Sequence, residues 1–289
     1  MDRKADIQGT QTINKGQINS YKDYLYQEEK SINTIKKYIH DISSFYSFLK
    51  GEPITKEVLL KWKEYLLTVF APSSVNSMLV SINNFLNWIG WSQYKVKLLK
   101  IQKKIFADSE KELTKEEYIR LVQTAQKEKN ERLSLVMQTI CSTGIRVSEL
   151  RYITIEAVRV GHVKVNSKGK IRVILLPDKL RHMLRKFCKK QGRITGAVFC
   201  TRNGKPLDRS NIWKDMKALC EKAGVESGKV FPHNLRHLFA RTYYKMEKDL
   251  SRLADLLGHT SVNTTKIYTM ETGIEHIKQI NHMKLLLTL

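Results

Sequence analysis

Cysteine is scarce. Cys141, Cys188, Cys200 and Cys220 are the full set in 289 residues, and no two form a Cys-x-x-Cys pair. That spacing excludes a disulfide framework and a thiolate zinc site, and it suits reduced thiols. Apolar runs are short as well. None approaches the ~20 residues that cross a bilayer, so no membrane partner is expected. The opening Met-Asp-Arg-Lys-Ala-Asp-Ile-Gln is polar and has no secretory core, which gives an expected cytoplasmic location. Also missing are a Gly-x-x-x-x-Gly-Lys-[Ser/Thr] loop for nucleotide phosphates and a paired Asp/Glu cluster for two metal ions. No metal and no other cofactor is therefore expected. Repeats, low-complexity stretches and coiled-coil heptads are missing too.

Acidic residues are the largest shortfall. Asp and Glu number 28 against 51 Lys and Arg, a formal net charge of +23 with a pI near 9.8. Residues 1–110 hold 16 basic against 11 acidic side chains, and the remainder hold 35 against 17. An excess of this size points to a polyanionic partner. With 42% hydrophobic and 9% aromatic residues, the chain has the material for two folded domains.

The pattern predicts a mainly α fold with a small antiparallel β-sheet. Residues 1–17 are polar and unpatterned, an expected flexible lead-in. From Ile18 to about Trp91, apolar residues recur at helical spacing in four sets: Tyr21–Leu25, Ile35–Phe48, Val58–Leu66 and Val75–Trp88. Segment 92–111 is lysine-rich, then acidic, without a clear apolar face, and is expected to link two domains placed at 18–106 and 107–289. Thr114-Lys115-Glu116-Glu117 has the spacing of a capping box and opens the second domain. Ser148-Glu149-Leu150 is expected to restart a helix after the Gly144 turn. Val158, Val160, Val163 and Val165, then Ile171, Val173 and Leu175, alternate about Ser-Lys-Gly-Lys, which predicts short antiparallel strands. After Pro177 the chain reads as mostly helical, with a turn at 202–206.

One set of polar residues stands out in the second domain. Arg146 lies in Thr-Gly-Ile-Arg-Val-Ser-Glu-Leu, Lys168 in Ser-Lys-Gly-Lys, and His233 and Arg236 in Pro-His-Asn-Leu-Arg-His. His259 follows Leu-Leu-Gly, and Tyr268 closes Val-Asn-Thr-Thr-Lys-Ile-Tyr-Thr. Attack on a phosphodiester builds negative charge on phosphorus-bound oxygens, and fixed cations stabilise it in place of metals. Guanidinium forks such as Arg146 and Arg236 match phosphate geometry. Tyrosine is a weak nucleophile at neutral pH and needs a proton acceptor. His233 suits the base and His259 a phosphate donor, with the reverse assignment left open. Lys168 at a hairpin tip suits a general acid for the leaving sugar oxygen. Singly, each has an ordinary reading: a helix-end charge, a hairpin tip, an exposed helical pair, a cap, a core aromatic. Together they specify one chemistry.

These motifs resemble the tyrosine recombinases, the phage integrase family, and in particular its Xer-type and transposon-borne members. The resemblance covers nearly the whole chain from about residue 18 and is strongest at 142–150, 232–237 and 257–269. It implies a helical SAM-like core-binding domain and an α+β catalytic domain that close as a clamp on double-stranded DNA. It implies Arg146, Lys168, His233, Arg236, His259 and Tyr268 as the catalytic set. Lys168 is preferred to its neighbours Lys164 and Lys170 because the family places its lysine before the glycine of a Lys-Gly turn. Four protomers, as a homo-tetramer or with a sister recombinase, would exchange strands through 3′-phosphotyrosyl links and a Holliday junction. The segment bearing Ile274, Ile277, Ile280, Met283 and Leu285 would dock on a neighbouring protomer, or else close its own domain's core. DNA contacts are expected from Lys36, Lys37, Ser73, Ser74 and Asn76 in the first domain. In the second they are expected from Arg172, Arg202, Arg209 and Lys214. The competing functions are a sequence-specific DNA-binding protein that does not cleave and a type IB topoisomerase.

Overall fold

A computed structural model describes residues 11–102, 109–167, 170–201, 203–259, 261–268, 277 and 281–283. The chain divides into two compact units, Met1–Lys103 and Lys104–Leu289.

The first unit is built from α1 (Lys15–Gln27), α2 (Ile32–Leu49), α3 (Lys56–Val69) and α4 (Pro72–Trp88). Helix α1 begins inside the expected lead-in. Asn14 and Gln17 form a reciprocal capping box, each side chain bonding the other's backbone N–H at 2.9 Å. Ile13 is buried, and Ile54 donates to the Gln11 carbonyl at 2.7 Å. Order therefore starts earlier than the polar composition suggested. Ser31 and Thr55 cap α2 and α3, and Pro72 at the first turn of α4 gives up no hydrogen bond there. The core is aromatic: Phe45 meets Trp62 at 4.8 Å between ring centroids, and Tyr21 meets Phe85 edge-on at 5.2 Å.

The expected linker also starts late. Val96 is buried and Leu99 packs on the same core. The Asn83 and Asn76 side chains each bind a backbone N–H and a backbone C=O, of Val96 and Leu99 respectively, at 2.7–3.1 Å. Two asparagines on α4 thus fasten a segment that has neither regular secondary structure nor periodicity of its own.

In the second unit, α5 (Lys115–Lys127) begins with the Thr114–Glu117 capping box. It packs on α6 (Glu131–Thr143), of which eight of thirteen residues are buried. Helix α6 ends at Gly144 in the left-handed conformation (φ 63°), where a β-carbon would lie 2.5 Å from the Phe239 ring. That close approach is why the turn needs glycine.

In the next stretch one expectation holds and one fails. The chain does restart a helix at Ser148–Leu150, as a 3₁₀ helix over Val147–Tyr152. Val158 and Val160 lie on α7 (Ile155–Val160), not on a strand. Thr154 caps that helix, and the buried pair Ile155 and Val158 has i,i+3 spacing while Val160 is exposed. The apparent alternation was a helical face read at the wrong period.

Strands β1 (His162–Ser167) and β2 (Lys170–Leu175) pair antiparallel, with Val163 opposite Ile174 and Val165 opposite Arg172. Then come α8 (Asp178–Lys190), α9 (Arg209–Ala218), α10 (Cys220–Ala223) and α11 (Pro232–Glu247). The described chain continues through α12 (Leu250–Leu257) and α13 (Val262–Thr265), then a 3₁₀ turn, Lys266–Tyr268. The main core lies among α5, α6, α8 and the first turns of α11, and a smaller cluster joins Ala240, Leu253, Leu257 and Tyr268.

Candidate active site

The carbonyl-rich ends of α6 and α12 and two buried side chains hold the site together. Arg146 follows the Gly144 turn and caps the 3₁₀ helix, so its own backbone N–H is free to donate. It donates to Glu149 Oε2 at 2.8 Å, while Arg146 Nη1 donates to Oε1 at 3.0 Å. Arg146 Nη2 reaches the Gly258 carbonyl at 3.3 Å. Glu149 is 5% exposed and accepts a further bond from Arg172 Nη2. Arg172 Nη1 also donates to the Leu256 carbonyl at 3.0 Å. One buried carboxylate therefore orients two guanidiniums, and Arg172 ties β2 to the end of α12.

Arg236 is buried to 1% exposure. It donates to the Gly144 carbonyl, to the Leu257 carbonyl at 2.7 Å, and to His259 Nε2 at 3.2 Å. Arginine only donates, so Nε2 accepts, and Nδ1 of His259 carries the proton and donates to Thr265 Oγ1 at 2.8 Å. Burial, followed by the charges of Arg146 and Arg172, pulls the Arg236 pKa down to about 10, and the nearby Tyr268 phenol opposes that electrostatically. Burial, then Arg236, Arg146 and Arg172, lowers His259 to about 4. His233 is lowered as well, by burial first and then by Arg236, Arg146 and Arg209. Both imidazoles are neutral at pH 7 in the free protein.

A cavity of about 560 Å³ opens beside these groups, lined by Arg146, Arg209, Trp213, Phe231, His233 and Arg236 among others. Tyr268 does not line it. Its ring is 5% exposed, stacked at 5.9 Å on His259 and edge-on at 4.8 Å to His237.

Five of the six residues singled out for chemistry thus meet in one place: Arg146, His233, Arg236, His259 and Tyr268. Lys168, the sixth, lies outside the described residues, as do Arg202 and the residues after Tyr268 other than 277 and 281–283. Ile277 and Met283 are exposed.

The expected DNA contacts divide. Lys36, Ser73, Ser74, Arg209 and Lys214 are exposed, and Arg209 reaches the cavity. Three others have partners inside the fold. Lys37 is bound to Asp41, to the Ser77 carbonyl and to Ser81. Asn76 holds Leu99, and Arg172 faces Glu149 and Leu256.

Sequence reasoning assigned no role to Glu149, His237, Thr265 or Trp213. The signals were spacings: Glu149 is three residues after Arg146, as in a capping box, and His237 is one turn after His233 on α11. Trp213 is one turn after Arg209 on α9.

The family model described as the phage integrase family matches residues 111–273. The chain belongs to the phage integrase family. Tyrosine recombinase XerA of Pyrococcus furiosus is 28% identical over 276 residues, covering 93% of each chain. Among solved structures, XerH recombinase in a pre-cleavage complex with its difH substrate has a TM-score of 0.69 at 19% identity, covering 93% of this chain and 84% of that one. A lambda integrase tetramer on a Holliday junction has a TM-score of 0.72 at 18% identity, with coverages of 88% and 76%. These likenesses show the tyrosine recombinase fold, and the phage integrase match makes the chain a DNA recombinase by class.

Proposed function

We propose that the protein is a site-specific recombinase that cleaves and rejoins duplex DNA through Tyr268. The observation that carries this is the convergence of two guanidiniums, two neutral imidazoles and one phenol beside a single cavity. The scissile phosphate sits at Arg146 and Arg236, whose remaining N–H groups meet its non-bridging oxygens. The Tyr268 oxygen bonds to phosphorus, and its proton passes to His233. The bond from phosphorus to the 5′ oxygen breaks, and that oxygen takes a proton from Lys168. A 3′-phosphotyrosyl link and a 5′-hydroxyl result. Rejoining reverses the step with a 5′-hydroxyl from the second duplex, so one phosphate ester replaces another without ATP or metal. Phosphate charge at the site favours protonation of His259, which then donates through Nε2. Four copies acting on two sites, through a Holliday junction, complete an exchange in the cytoplasm.

The test is covalent capture. Fragmented genomic DNA is incubated with the protein, denatured, and the protein-linked strands are sequenced. Wild type should retain strands that share one sequence, and Tyr268→Phe should retain none. Tight binding to such a sequence with no adduct would establish a non-cleaving binder instead. Adducts scattered without a common sequence, with plasmid relaxation, would establish a topoisomerase.

A further inference from the structure

His237 has no part in the chemistry just described, yet it touches both ends of it. It lies one turn after His233 on α11 and beside Arg236. Its ring centroid is 4.5 Å from that of His233, at 67° between planes, and 4.8 Å from that of Tyr268, at 89°. His259 covers Tyr268 from another side, nearly parallel at 20°. Two rings, one edge-on and one parallel, leave the phenol little freedom to rotate. His233 lines the cavity and Tyr268 is buried, and the half-buried His237 touches both rings. Burial, then the charges of His233 and Arg236, hold His237 near a pKa of about 4. The ring is accordingly neutral at pH 7 and adds no cation beside Arg236.

We propose that His237 is a positioning residue whose ring, wedged between His233 and Tyr268, sets the orientation of the phenol toward Arg236. The inference rests on the strand-transfer reading above. It requires the planar shape of the side chain and not its titration. Nucleophile misplacement on the scale of an ångström costs on the order of a hundredfold in rate.

The experiment uses the full chain and a nicked duplex made from a strand captured by wild type. Adduct formation is followed in a single turnover at saturating DNA, beside DNA affinity and the thermal midpoint. His237→Ala should slow adduct formation on the order of a hundredfold and leave affinity nearly unchanged. His237→Phe, which keeps a flat ring, should restore most of the rate. A wild-type rate for His237→Ala overturns the proposal. So does a folded His237→Phe that is as slow as the alanine variant, because the ring nitrogens would then be what matters. If His237→Ala does not fold, His237→Phe decides by itself on the same criterion. Absence of any adduct from wild type would instead fell the strand-transfer reading, and this inference with it.

Discussion

Arg236 carries more of the site than any other side chain. It is a guanidinium at 1% exposure whose partners lie on two segments far apart in the chain, the Gly144 turn and Leu257–His259. Lysine supplies the charge without the planar fork, so Arg236→Lys should fold and yet lose on the order of a hundredfold to a thousandfold in adduct formation. Arg236→Ala should also be less stable in urea melts, since each bond lost from a charged donor is worth roughly 1.5–3 kcal/mol. Equal stability of the alanine variant and wild type would show that the Gly144 and Leu257 carbonyls do not need this partner. The histidines make a second residue-level prediction. His237 and His259 sit at about 4 in the folded chain and His233 is lowered too, against an ordinary value near 6.5. Below that ordinary value the unfolded chain binds more protons than the folded one. Stability should therefore fall as pH drops from about 6.5 toward 4 and be level above that window. Thermal midpoints that stay flat across the window in wild type would contradict the buried, neutral assignment. DNA should oppose the effect, because a bound phosphate favours the protonated rings.

At the scale of elements, the end of α12 is the tightest joint. Gly258 has φ of 62°, and a β-carbon there would run into the Arg172 side chain. Gly258→Ala should cost roughly 1–3 kcal/mol from the backbone and also dislodge Arg172 from Leu256 and Glu149. Gly258→Asn tolerates the left-handed backbone better but keeps the collision, so thermal melts of the two variants separate the causes. If the asparagine variant is as stable as wild type, the contact with Arg172 is not restrictive. The Thr114–Glu117 capping box and the helical faces of α2 to α4 were legible in the sequence, because both are set by residues within a few positions of each other. The role of Asn76 and Asn83 was not. Their partners lie 13 and 23 positions away on a segment without periodicity, and a DNA-contact assignment for Asn76 was the natural reading of its place at a helix start. Lys37 is similar: although exposed, it is bonded to the buried Asp41 on its own helix. Helix α7 was misread because six residues are too few for a period of 2 and a period of 3.6 to separate. The residues that converge beside the cavity were legible for a different reason: five side chains of three types in fixed local contexts are a stronger signal than any one spacing. Glu149 escaped because a carboxylate in a basic site reads as a cap until its second guanidinium, on β2, is seen.

For the whole molecule, charge is the dominant property. Of the net +23, the excess of 35 basic over 17 acidic side chains falls after residue 110, in the unit that holds the cavity. DNA affinity should fall steeply with salt. If six phosphates are neutralised, a plot of log affinity against log salt has a slope of about −5. Fluorescence anisotropy on the captured duplex measures it, and a slope near zero would contradict extensive backbone contact. Arg209→Ala and Lys214→Ala should each make that slope shallower by about one unit if they meet phosphates. Lys37→Ala should instead leave that slope unchanged and lower the thermal midpoint, because Lys37 is bonded to the buried Asp41 and to Ser81.

The covered position of Tyr268 has a consequence for how such a protein is tolerated in a cell. A phenol packed between two imidazoles and an aliphatic cluster is sheltered from chance phosphate esters that drift through the open cavity. If Tyr268 is the nucleophile, packing already restrains it before any partner arrives, and genomic safety becomes a property of the resting fold.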